Sequence, residues 1–281
     1  MIQLIQEITL LVGTLVGAYT DYKTGYIYDW ITVPMVLIGV ILSIVLGQWL
    51  NIIVGIVLFF GLYLLYRAGK IGGGDVKLFT GIALLNPFNS IEFLASVFLF
   101  STISAAIFYS IYYTIKYLKK KIESNKNKKM KKGLIQEIVE ENKQGLVQAF
   151  VLVTFAIIYF WFMKSAGLIN ELFIFVAGFT MLCLVLVMTL QKGITKNFFE
   201  KRIAIEKLEE DEVISVQGNL KKVIELFKLK KIVGKEQIME LKRMKIKSIV
   251  VLRELPKFGP FIFVGVCLAL ALPDFFLLLF A

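Results

Sequence analysis

The chain of 281 residues contains no histidine. That absence removes Ser-His-Asp and Cys-His catalysis, histidine-ligated zinc and haem, and any histidine pH switch. Acid–base chemistry must then come from carboxylates, Lys, Tyr or Cys. Cysteine is nearly absent too. Cys183 and Cys267 both lie inside apolar blocks, so a disulfide scaffold is excluded. Charged residues make up 19% of the chain against 58% hydrophobic ones, whereas a soluble domain carries about 25% charged residues. The composition argues against an ordinary soluble enzyme and against a disordered chain. No metal site and no cofactor are expected.

What is present is apolar sequence in long blocks. Eight segments read as membrane spans: 3–20, 31–47, 50–66, 76–86, 91–115, 147–163, 171–190 and 258–280. Most are near the roughly 20 residues that a helix needs to cross the hydrocarbon. The fourth is short. It reads as a helix shielded by its neighbours or as a partly re-entrant one. The first does not read as a cleaved signal peptide, because MIQLIQE carries no positive charge and no small-residue cleavage motif follows.

The net charge of +11 is explained by topology. If all eight segments cross, Lys164 is the one Lys or Arg, of 32, on one side of the membrane. The positive-inside rule puts the basic loops in the cytoplasm and both termini outside. Membrane lipid is therefore the expected partner of this charge, and nucleic acid is not. The fold class expected is an all-α polytopic membrane protein of six to eight transmembrane helices with a small cytoplasmic α+β domain. Residues 1–117 form the N-terminal membrane helices, 118–146 a basic linker, 147–191 a transmembrane hairpin, 192–257 the α+β domain and 258–281 the last span. Within the domain, strands are expected at 213–216 and 247–253. Helices are expected at 235–244 and, capped by Asn219, at 220–229.

Charges at the edge of a span are expensive and mark candidate sites. Asp21 ends the first span and Asp75 opens the fourth, at equal depth on the same side. Two carboxylates that converge cannot both ionise, so one can act as acid while the other acts as base. Such a pair can activate water against a peptide carbonyl without metal or histidine. Gly72, Gly73 and Gly74 precede Asp75 and would let an extended peptide lie beside it, with positive φ accessible. The alternative is a hinge before a helix that Asp75 caps. Asp29 reads as a cap of the second span, and Lys77 as a positive anchor.

The pairing of DYKTGYIYDW with GGGDVKLF resembles the GxGD aspartyl proteases, and more narrowly the type IV prepilin peptidases and their archaeal preflagellin (prearchaellin) branch. KFGPFIFVG, Lys257 to Gly265, is similar to the stretch that opens that family's last span. The resemblance covers residues 1–117 and about 205–280. It implies that Asp21 and Asp75 are the catalytic pair, and that the substrates are precursors with class III, type IV pilin-like signal peptides. These leaders are short and basic, and are removed at the cytoplasmic membrane face. The chain departs from the pattern at Tyr28, where the family has Pro, and in its extra hairpin at 147–190. It lacks the four cysteines of the bacterial branch, so methylation is not expected. The rivals are a presenilin-like or signal-peptide-peptidase-like intramembrane protease and an ion-coupled transporter. An acidic run at Glu206, Glu209, Glu210, Asp211 and Glu212, with a weaker one at Glu137, Glu140 and Glu141, is expected to steer the basic leader.

Overall fold

A computed structural model describes residues 2–69, 71–127, 133–209, 212–215, 219, 223, 225, 233–244, 246–253 and 256–279. Seven helices come first: α1 (Ile2–Thr24), α2 (Asp29–Val45), α3 (Trp49–Arg67), α4 (Gly73–Leu84), α5 (Ile91–Asn127), α6 (Leu134–Ser165) and α7 (Glu171–Ile194). A π-helical turn, Thr195–Phe199, leads into β1 (Glu200–Ala204). Then follow β2 (Val213–Ile214), α8 (Lys235–Arg243), β3 (Ser248–Leu252), α9 (Gly259–Ala271) and α10 (Phe275–Leu278). Five of these helices, α1, α3, α5, α6 and α7, are long and apolar enough to cross a membrane. The chain thus has the make-up of a mostly helical, multi-pass membrane protein.

One core joins six helices. Leu10 of α1, Met35 of α2, Leu62 of α3, Phe79 and Ile82 of α4, Phe93 of α5 and Ile262 of α9 meet in it. The short α4 lies at its centre, with Val76 and every residue from Leu78 to Leu84 buried. Its 12 residues reach about 18 Å, too little to span alone, so its end must be satisfied by protein. Ser43 Oγ donates to the Leu84 carbonyl at 2.8 Å, and Asn51 Nδ2 to the Asn86 carbonyl at 2.8 Å. A Cβ at Gly39 would stand 2.7 Å from Leu84 Cβ, so α2 can approach this closely only at a glycine. The fourth segment is thus a short helix shielded by its neighbours.

The last apolar segment differs from its expectation. In place of one span over 258–281, α9 stops at Ala271 and α10 restarts at Phe275. Pro273 causes the break: it has no N–H, and it disfavours helical backbone at Leu272 before it. Ser96 takes up the freed groups, donating to the Pro273 carbonyl and accepting from Phe276 N–H.

The helices α6 and α7 contribute nothing to the six-helix core and pack on each other and on α5. Both ends of the basic stretch 118–146 lie within continuous helix, the C-terminal part of α5 and the N-terminal part of α6. Lys and Glu are good helix formers, which accounts for that continuity. The small domain is an antiparallel sheet ordered β1-β3-β2, packed through Ile203, Ile214, Leu241, Ile249 and Val251. The helix expected at 220–229 falls largely outside the described residues. The Asn219 side chain accepts from Val250 N–H at 2.8 Å and donates to the Val250 carbonyl at 2.7 Å, extending the pairing along β3.

Candidate active site

Asp21 lies in the last turns of α1 and is buried, at 6% exposure. The helix ends just beyond it. Gly25 turns the chain at φ +78, a conformation that suits glycine, and its N–H bonds the Asp21 carbonyl at 2.8 Å. The Asp21 carboxylate faces α9. Its Oδ2 accepts the Gly259 N–H at 2.8 Å, a buried bond between residues 238 apart in sequence.

Asp75 lies in the first turn of α4, whose N-cap is Gly72. It therefore stands at the third helical position and does not cap the helix itself. Its carboxylate folds back onto the Gly72 backbone, with which it is hydrogen-bonded. Asp75 lies within electrostatic reach of Asp21, and Tyr109 of α5 within reach of both. The structure thus brings together the two carboxylates singled out in the sequence.

The three glycines divide. A Cβ at Gly74 would lie 2.8 Å from Ile27 Cβ, and one at Gly73 would lie 3.3 Å from the Tyr66 ring. These two positions let the α1–α2 loop and α3 close on α4. Gly72 alone of the three is exposed, beside Asp75. The positive φ expected as accessible here is not used: among the described residues the left-handed glycines are Gly25, Gly47, Gly69 and Gly167.

Asp29 and Lys77 are found together. Lys77 Nζ donates to Asp29 Oδ1 at 2.5 Å, tying the start of α2 to the first turns of α4. Asp29 begins α2 after Tyr28, and no side chain caps that terminus. The exposed Tyr22, Tyr26, Tyr28 and Trp30 surround this edge, as aromatic residues do at a membrane–water interface.

Part of the acidic run expected to steer the leader is already paired. Glu212 is ion-paired with Arg253 and only 11% exposed. Glu137 and Glu141 both hold Lys121, at 2.8 and 2.7 Å. Glu206 and Glu209 are exposed, and Glu210 and Asp211 lie outside the described residues. Carboxylates already neutralised by a fixed cation have little field left for a passing leader. Among the described residues, no group of three or more His, Cys, Asp or Glu is placed to hold a metal ion.

Sequence reasoning missed three residues at the site. Gly259 bonds Asp21, Lys257 Nζ donates to the Tyr22 carbonyl at 2.5 Å, and Tyr109 Oη donates to the Lys257 carbonyl at 2.5 Å. The KFGP motif was the available signal for the first two. Nothing in the aromatic-rich α5 sequence distinguishes Tyr109 from its neighbours. No curated protein and no solved structure gives a significant match to the chain. Residues 8–112, which carry Asp21, Asp75 and Tyr109, match the model of the type IV leader peptidase family.

Proposed function

We propose that the chain is a membrane aspartic endopeptidase of the GxGD type, with Asp21 and Asp75 as its catalytic pair. It removes the short basic leader of type IV pilin-like precursors, preflagellins or archaeal prepilins, at the cytoplasmic membrane face. The observation that supports this reading is that two carboxylates from separate helices lie within electrostatic reach of each other, within the stretch that matches a leader peptidase model. One carboxylate, ionised, takes a proton from the attacking water. The other, protonated, polarises the scissile carbonyl and then protonates the leaving amine. The substrate backbone runs past Gly72, the exposed glycine beside Asp75. The basic loops face the cytoplasm and anchor on anionic lipid.

The test uses the purified chain in lipid vesicles with a prepilin-like precursor, a chelator and no nucleotide. Mass spectrometry of the product should show loss of the leader alone. An intact precursor contradicts the reading, and a cut within the hydrophobic helix supports the presenilin-like rival instead.

A further inference from the structure

We infer that the segment Lys257–Gly259, braced by Tyr109, is a clasp that holds Asp21 as the ionised base of the pair and leaves the shared proton on Asp75. The inference rests on the peptidase reading above and adds to it a division of labour between two chemically identical side chains.

The two aspartates have different surroundings. Asp21 receives the N–H of Gly259, the first residue of α9, at 2.8 Å. The next residue, Pro260, has no N–H to offer, so the donor at this terminus is Gly259. The positive end of the α9 dipole thus points at the Asp21 carboxylate, where it favours negative charge. The approach is tight: a Cβ at residue 259 would stand 2.9 Å from both Cβ and Oδ2 of Asp21. Lys257 adds a full charge. Its ammonium bonds the Tyr22 carbonyl in the last turn of α1 and acts electrostatically on Asp21. A cation beside a carboxylate favours the ionised form.

Asp75 also stands at a helix N-terminus, that of α4, so the difference between the two is the Lys257 charge that acts on Asp21. The bond to Asp75 comes from Gly72 in its own first turn. The nearby Lys77 is engaged by Asp29. Other charged or titratable groups at this edge are Lys23, which lies over the Tyr19 ring, Tyr22, Tyr26 and Tyr28 around the α1–α2 turn, Tyr66 and Arg67 at the end of α3, and Tyr109 and Tyr113 of α5.

Tyr109 fixes the clasp from α5. Its hydroxyl donates to the Lys257 carbonyl at 2.5 Å, and its ring meets Phe261 of α9 edge-on at 5.1 Å between centroids. Tyr109 is therefore a positioning residue: it acts on Asp21 through the backbone of the Lys257–Gly259 segment. Lys257 and Gly259 lie beyond the residues matched by the family model, so the clasp reaches the pair from the far end of the chain.

The experiment measures kcat, KM and the pH dependence of kcat/KM for leader removal in vesicles. It compares wild type, Tyr109→Phe, Lys257→Met and Lys257→Arg, with Asp21→Asn as reference. The acid limb of kcat/KM reports ionisation of the base. Losing the Lys257 charge should move that limb to higher pH by about 0.5–1 unit, and Lys257→Arg should restore it. Tyr109→Phe should lower kcat about tenfold with KM unchanged, because a loosened clasp misplaces the base. A defect that was merely structural would not shift the limb and recover with Arg. If Lys257→Met and Tyr109→Phe both match wild type in kcat and acid limb while Asp21→Asn is inactive, the clasp is overturned and the peptidase reading stands. If Asp21→Asn is active, the peptidase reading itself falls.

Discussion

The six-helix bundle and the α6–α7 hairpin are both apolar in sequence yet differ in how they treat polar groups. The most apolar stretch of α1 is 33% buried and that of α5 28%, whereas those of α6 and α7 are 6% each. The bundle buries Gln6, Thr14, Asp21, Thr32, Ser43, Asn51 and Thr80. The hairpin presents Phe150, Phe155, Trp161 and Phe175 outward, packs along α5, and carries a polar knot between α5, α6 and α7. There Tyr117 donates to Glu141, Asn142 donates to Tyr117, and Gly193 N–H donates to Asn142. Polar groups within membrane helices are costly. In the bundle they support irregular backbone and the acidic pair. In the hairpin they serve as an anchor.

That contrast ranks the expected effects of substitution. The largest are in the bundle. Asp21→Asn and Asp75→Asn should each lower leader cleavage by about 10²–10⁴-fold, with membrane insertion retained; immunoblotting of washed membranes beside the cleavage assay checks both. Next is Gly259→Ala. The added methyl must displace Asp21, and a misplaced catalytic group costs about 10²-fold in rate, read as kcat in the same assay.

The hairpin should respond in stability and not in rate. Tyr117→Phe leaves Glu141 and Asn142 without their shared hydroxyl, which should cost about 1–3 kcal/mol with kcat within about twofold of wild type. Thermal unfolding in detergent and the cleavage assay separate the two. A kcat loss as large as that of Gly259→Ala would erase the distinction between the regions. The smallest effect belongs to the exposed pair of Asp29 and Lys77. Lys77→Met should cost less than about 1 kcal/mol and leave cleavage measurable.

The acidic pair was legible in the sequence because each aspartate stands at the edge of an apolar block, where a charge needs a reason. The long basic loops made the sidedness argument possible in the same way. Their partners were not legible. Gly259 and Asp21 are 238 residues apart, and Lys77 and Asp29 are 48 apart, so both contacts are set by tertiary packing and leave no local period. β1 was missed because Glu200–Ala204 reads EKRIA, with exposed charges where a strand signal needs alternating apolar residues. The break before α10 did have a signal, Pro273, which the continuous hydropathy of 258–280 obscured.

The central claim is that Asp21 and Asp75 act as one unit. Single-turnover leader removal by Asp21→Asn, Asp75→Asn and the double variant tests it most directly. Groups that act together are strongly non-additive, so the double variant should be no slower than the slower single variant. Losses that multiply in the double variant, or a single variant that retains wild-type rate, would contradict the account.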